Sequence, residues 1–581
     1  MAKTKKLCSW DCEPGSGATL FTTGNVNEVL PGVIRPLYAD LCKDWDYRWV
    51  KRVVETLGVA DQVVVEPPPF FTLLGFFGGR WAVNVSLSLE LSASYEVGEG
   101  SAMLTQFFEG GDAVTSGAAG DKARAAAANA IINDRWANIG KIERSNDRLS
   151  RASAAAGRKR RLHALSNQQL VDLVEANTEL MGELFEGHFY VTVGGGDFAA
   201  RLTGLLAQHC FKGNVERVPS DWVTTLTSAL RGVESAKPGE GIWDLSRLIA
   251  GRKSLANMFP TLSTEQILTR LAAPPDADWE ALSTAYRAFI NEYGWRGYRE
   301  SDPSSPTWDE APGFVIGAIK SDLAAPASAN PYVREEAAAK ARERLEARVF
   351  AKVPANARKA FERHLRLTQA LAKSREGMKA TWARASRNYR APLLELGRRS
   401  SAEGILGAAE DVWFLRWSEV QAAGTGTLEA KAAKKAVESR RAEYARLQDF
   451  NLPDGVFTWP ADLVPVETAA TSKLTEFKGL AVSAGVATGK ARVILDASDD
   501  SHIEPGEILV APVTDAPWTP LFIPAAAVVV EMGGVLSHAA TVAREFGIPA
   551  VSGIKDATKI LKTGQLLRVD GNTGTVTILS R

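Results

Sequence analysis

Between Thr22 and about Val97, apolar and polar positions follow no single period. An amphipathic stretch around Leu41–Val54 predicts a helix, and Pro67-Pro68-Pro69 leads into an aromatic run. Trp81–Leu91 partly alternates apolar with polar residues, which predicts a half-buried strand. From about Ala113 to Leu447, Ala and Leu recur at i, i+3 and i+4 among charges, as in Glu335–Val349 and Ala357–Ala372. That stretch predicts helices, separated at breakers such as Pro238-Gly239, Pro274-Pro275 and Pro303–Pro306. Gly194-Gly195-Gly196, the one glycine run in it, reads as a turn.

The texture changes after Asp449. Pro453–Glu476 is rich in Pro, Thr and Ala, without a sustained period. Gly479–Leu579 then turns to short Val/Ile runs closed by Gly and Pro: Ala491–Leu495, Ile508–Ala511, Ala527–Glu531, Leu567–Val569 and Thr575–Leu579. The predicted fold class is multidomain: a mostly α-helical body over residues 1–452, with some β structure near its N-terminus, a linker over 453–476, and a C-terminal α/β domain over 477–581.

Composition narrows the class. At 581 residues the chain is too long for one core. Lys+Arg and Asp+Glu both total 68, so no charge excess points to nucleic acid or an anionic membrane. The N-terminus lacks the apolar stretch of a secretory signal, and no apolar run approaches the ~18–20 residues that span a bilayer. Cys8, Cys12, Cys42 and Cys210 are too few and scattered for a disulfide framework, which makes a cytoplasmic protein the expectation. Cys8 and Cys12 have no nearby histidine, so no zinc site is expected there, nor a metal site elsewhere.

The most informative segment runs Glu531-Met-Gly-Gly-Val-Leu-Ser-His538-Ala-Ala-Thr-Val-Ala-Arg-Glu-Phe-Gly547-Ile-Pro549. An apolar strand ends at Glu531, two glycines allow a tight turn, and Ser537-His538 opens a helix running to about Phe546. A histidine there faces free N–H groups and the positive end of the helix dipole, an environment that suits an attached phosphate. A lone histidine in such a place is otherwise a cap or a core residue. Here the whole string resembles the mobile domain of phosphoenolpyruvate-utilising enzymes and other dikinases. Gly479–Gly485, Gly489–Val493, Thr514-Asp-Ala-Pro517-Trp-Thr-Pro520, Gly553 and Val569-Asp570-Gly571 extend the likeness over about the last 100 residues. The resemblance implies a swivelling domain whose His538 carries a phosphoryl group between two sites. Leu536 stands where some members carry a regulatory threonine, so that control is not expected; Thr541 replaces an aliphatic residue, a change with no reading.

The body resembles the acceptor-binding domain of rifampicin phosphotransferases, in Gly24–Leu37, in Tyr293–Asp302 with Trp308-Asp-Glu310, and in Asp411–Leu415 with Glu419. Those relatives hold an ATP-grasp domain in the same chain. No Gly-x-x-x-x-Gly-Lys-Ser/Thr loop occurs here, and little precedes Asn25. The resemblance is then to the larger subunit of two-component aryl phosphate synthases. It implies a separate ATP-grasp partner supplying ATP and Mg²⁺, and a small phenolic substrate. The chain reaches Arg581 without the barrel that binds phosphoenolpyruvate in several dikinases, so that donor is not expected.

Arg375 and Lys379 lie four apart within Ser374-Arg-Glu-Gly-Met-Lys379 and share a helix face. By spacing this is a solvated face, with Glu376 neutralising Lys379. The rifampicin enzymes, however, carry a similar Arg-Glu-x-x-Lys whose cations act at transfer, and that resemblance gives Arg375 and Lys379 the same role. Arg296 and Glu300, also four apart, either orient an acceptor hydroxyl or form a structural ion pair. Phe70, Phe71, Phe76, Phe77 and Trp81 are core or pocket lining. His163, His188, His209, His364 and His502 sit in no comparable motif.

The leading expectation is an ATP-dependent dikinase-type phosphotransferase subunit that releases AMP and phosphate as co-products. A rifamycin-like antibiotic phosphotransferase component is the first alternative. A non-catalytic phosphohistidine regulatory module is the alternative of another class.

Overall fold

The computed structural model describes residues 7–15, 20–23, 26–95, 122–156, 162–453, 455–459, 461–465, 474–498, 501–534 and 537–580. The chain folds into two units built from interleaved segments. One takes residues 1–197, 301–304 and 377–467; the other takes 198–300, 305–376 and 468–581. The expected boundary at 453 falls inside the first unit. No helix among the described residues is long and apolar enough to cross a membrane.

In the first unit, the amphipathic stretch forms the helix Pro36–Leu57, with proline in its first turn and Gly58 (φ 69°) closing it through N–H bonds to Glu55 and Val54 carbonyls. Its buried face includes Leu37, Leu41, Trp45, Trp49 and Val53. A four-stranded antiparallel sheet runs in the order Leu74–Phe77, Arg80–Asn84, Leu20–Thr22, Val456–Thr458. The last strand comes from the segment expected to be a linker. Phe21 pairs there with Phe457, and Phe450–Asn451 pairs with Val464–Pro465. Residues 454, 460 and 466–473 of that segment lie outside the described residues. Phe71, Phe76, Phe77 and Trp81 are buried, and Phe77 stacks on Trp459 at 3.9 Å, so this aromatic run is core.

Two expectations need correction. The alternation from Trp81 to Leu91 is strand only to Asn84; Val85–Tyr95 is helix. Asn84 is the reason, because its side chain accepts the Leu87 N–H and its carbonyl accepts the Ser88 hydroxyl, capping a new helix. Gly194-Gly195-Gly196 is no turn, since it lies inside the 44-residue helix Asn167–Cys210.

In the second unit, the helices Lys237–Ala250, Thr264–Ala272, Ala277–Tyr293, Gly313–Ala324 and Pro331–Lys352 carry the α/β portion. Ser263 and Gln266 form a capping box, and Asp276 caps the Trp279 N–H across the Pro274-Pro275 break. The sheet runs Glu476–Lys478, Thr575–Ser580, Leu566–Asp570, Val486–Val493, Ile508–Ala511, Ala527–Val530, Ala550–Ser552, Leu480–Ser483. The four consecutive strands from Val486–Val493 to Ala550–Ser552 are parallel. The runs Ile508–Ala511, Ala527–Val530 and Ala550–Ser552 are buried on both faces, as the interior of a parallel sheet demands. Ile508 and Val510 join one core with Val529, Val551, Leu567 and Val569. Leu509 and Ala511 point the other way, into a core shared with Trp243, Phe289, Phe314 and Ile319 of the helices.

Candidate phosphohistidine site

The parallel strand Ala527–Val530 delivers the chain to Glu531, whose carboxylate accepts the Thr558 N–H at 2.7 Å. The turn that follows needs glycine at 533. Its φ is +137°, and a Cβ there would stand 2.9 Å from the Ser537 side chain. Ser537 then caps the helix His538–Glu545 by accepting the Ala540 N–H, and donates its own N–H to the Gly534 carbonyl. His538 thus occupies the first helical position, beyond the carboxyl end of a parallel strand. Residues 535 and 536, and with them Leu536, lie outside the described residues.

His538 is 2% exposed. Its Nε2 stands 3.4 Å from the Thr519 hydroxyl, and the Phe522 ring meets the imidazole edge-on at 6.0 Å. The Thr519 hydroxyl donates to the Ser235 carbonyl at 2.8 Å, tying this corner to the segment before the helix Lys237–Ala250. At the far end of the histidine's helix, the Glu545 carboxylate accepts the Ala229 N–H at 2.8 Å, and Arg544 donates to the Val482 carbonyl at 3.0 Å. Burial is the main cause that raises Glu545 to about 7, helped by Glu335; the Ala229 N–H, Arg544 and Arg342 pull against it. Burial likewise lowers Arg544 to about 10, with Arg375 pushing the same way, so it stays charged at neutral pH.

Arg375 therefore lies within electrostatic reach of the histidine's helix. It belongs to the same unit, is mostly buried, and makes a long 3.5 Å contact with Glu376. Lys379 follows on the same helix, Arg358–Arg387, but belongs to the first unit. It is half-buried, and no ion-pair partner for it is found among the described residues. Arg296 and Glu300 form an ion pair at 2.6 Å, with side chains 0% and 4% exposed. Arg296 also lies over the Trp295 ring at 4.4 Å. Burial of this depth favours a structural ion pair over one that orients an acceptor hydroxyl. Among the described residues, no group of three or more His, Cys, Asp or Glu could hold a metal ion; the Cys8 thiol donates to Asp11.

Thr519, Ser235 and Glu545 escaped the sequence reading. Thr519 does lie inside the recognised Thr514–Pro520 string, and Glu545 stands seven residues after His538, two turns along one helix face. Those spacings were legible; the body residues they meet were not.

Residues 503–574 match the mobile domain of PEP-utilising enzymes, which brackets the strand, the glycine turn and the histidine's helix. The chain carries a PEP-utilising mobile domain. Residues 197–378 match the fourth domain of rifampicin phosphotransferase, a stretch that includes Arg296, Glu300 and Arg375. The chain is 32% identical over 345 residues to the prodigiosin synthesizing transferase PigC of Serratia marcescens, covering 58% of this chain and 38% of that one. It is 28% identical over 416 residues to a rifampicin phosphotransferase of Streptomyces sviceus, covering 68% of this chain and 46% of that one. The chain thus spans less than half the length of these curated relatives. The crystal structure of Thermococcus kodakaraensis aconitase X (holo-form) aligns at 26% identity and a TM-score of 0.16, over 18% of this chain and 98% of that one.

Proposed function

We propose that this chain is the carrier and acceptor-binding part of a phosphotransferase. His538 takes a phosphoryl group that derives from ATP, and the mobile domain passes it to a hydroxyl of a small phenolic compound. The observation that carries the reading is His538 itself, set at a helix start behind an obligate glycine turn within the mobile-domain match. In the transfer step the P–N bond breaks as an O–P bond to the acceptor forms. The hydroxyl gives up its proton and the imidazole regains one. Arg375 and Lys379 stabilise charge on the phosphoryl oxygens in flight, since this chemistry depends on positioning and cations. Arg296 and Glu300 belong to the acceptor side in this reading, and their burial favours a pair that shapes that side over one that orients the acceptor hydroxyl. Loading belongs, in this proposal, to an ATP-grasp partner that binds ATP and Mg²⁺: one of ATP's two outer phosphoryl groups passes to His538, water takes the other as inorganic phosphate, and AMP leaves.

The match over residues 197–378 favours a second reading, in which the acceptor is a larger hydroxylated natural product. One experiment addresses both. The chain is incubated with an ATP-grasp partner and ATP, and phenols and rifamycins are screened by mass spectrometry for a mass gain of one phosphoryl group. An acid-labile, base-stable phosphate is expected on the protein and absent from His538→Ala. A His538→Ala chain labelled at normal stoichiometry would overturn the assignment.

A further inference from the structure

His538 and Glu545 are the first and last residues of one helix and, seven apart, project from the same face about 10 Å apart. A single loop of the body, residues 228–235, meets the Glu545 end of that face directly and the His538 end through Thr519. The Ala229 N–H donates to Glu545, while the Ser235 carbonyl accepts the Thr519 hydroxyl that stands 3.4 Å from His538 Nε2. The loop is shaped for this. Ala229 and Arg231 have positive φ of 49° and 52°, an uncommon conformation for residues with a Cβ. Arg342, from the helix Pro331–Lys352, pins the loop by donating to the Ser228 carbonyl at 3.0 Å and to the Ala229 carbonyl. Glu545 is 4% exposed, and a carboxylate buried in this way costs free energy that an apolar residue would not. Nothing in phosphoryl transfer requires a carboxylate two turns from the histidine.

We infer that Glu545 is a positioning residue: with loop 228–235 it forms a latch that registers His538 against the body each time the mobile domain docks. The inference rests on the reading of residues 477–581 as a moving carrier. Leaving the body exposes Glu545 to water, so docking and protonation are coupled. The docked carboxyl titrates near 7 and the free one near its ordinary 4.5. A group raised in the docked state favours docking fully below about 4.5 and loses that contribution as pH rises to about 7. The groups facing it are Glu335 and Arg342 on the helix Pro331–Lys352, Arg544 on its own helix, and the Ala229 N–H. The shift from 4.5 to about 7 sets the ceiling on the change in the docking constant, on the order of 10²-fold.

The test uses the full chain without ATP or acceptor, so its result is independent of whether phosphoryl transfer occurs. Dyes are placed on cysteines introduced at exposed Glu343 and Leu495, and energy transfer is followed from pH 4.5 to 8.5. The docked fraction should fall between pH 4.5 and 7 and level off above. Glu545→Gln keeps an acceptor oxygen for Ala229 but cannot ionise, so its profile should be flat over that window. Glu240 also titrates near 7, raised by burial and by Glu335 and Asp244, and the Gln variant separates the two. A flat wild-type profile, or a Glu545→Gln profile that follows the wild type, overturns the latch. If His538 is phosphorylated and discharged normally in that case, the proposed function stands without it.

Discussion

Replacing Glu300 by Gln tests the most buried ion pair among the described residues. Glu300 Oε2 meets Arg296 Nη1 at 2.6 Å, and the two side chains are 4% and 0% exposed. Arg296 Nε and Nη2 have no hydrogen-bond partner among the described residues, so the carboxylate is the neutralising contact for a guanidinium sealed from water. Gln preserves the shape and one acceptor oxygen but removes the charge. Removing one partner of a buried pair typically costs ~3–5 kcal/mol, because the remaining charge is left uncompensated. The expected result is a loss of about 3 kcal/mol in urea unfolding, at the low end of that range because the amide still accepts a bond. Arg296→Met with Glu300→Leu should recover most of the loss, since two apolar residues carry no stranded charge. In the folded fraction, the rate at which phosphohistidine discharges to acceptor should match wild type. A Glu300→Gln protein within ~0.5 kcal/mol of wild type, but with a raised KM for acceptor, would refute the structural reading and put the pair in contact with substrate.

Two further outcomes follow from the same geometry. Arg375→Ala and Lys379→Ala should leave loading of His538 intact and slow its discharge ~10²–10³-fold, the cost of one lost charge donor in a preorganised site. Single-turnover decay of the prephosphorylated variants measures this, and wild-type rates in both would give the pair a structural role only. Phe457→Ala should destabilise the first unit by ~3 kcal/mol, because Phe457 is 7% exposed and pairs with Phe21 in the sheet. A melting temperature equal to wild type would mean that the stretch behaves as the linker its composition suggests.

Much of the histidine site was legible in sequence because every instruction for it is local. Gly533 supplies a backbone conformation others resist, Ser537 caps, and the Val/Ile runs around them can only be buried strands. The middle of the helix Pro36–Leu57 was legible as the amphipathic stretch Leu41–Val54, while its proline and glycine ends came from the structure. Trp81–Leu91 misled because period two is a weak instruction beside the Asn84 cap, which starts a helix at Val85. Pro453–Glu476 holds the strand Val456–Thr458, which its composition does not announce. A three-residue strand such as Val456–Thr458 has too few positions to show a period, and only its distant partner Leu20–Thr22 makes it a strand.

The tertiary structure alone decided what His538 meets. Ala229 reaches its helix through a backbone N–H, and Ser235 reaches the neighbouring Thr519 through a backbone carbonyl, groups that every residue type carries and no motif can advertise. Their partners, Glu545 and Thr519, could be named from sequence, but not their burial, which depends on helices more than 200 residues away packing against Leu509, Val528 and Val542. The same holds for Arg296 and Glu300. Spacing puts them one turn apart, and only the packing that removes water turns a surface pair of small worth into a buried one whose rupture is costly.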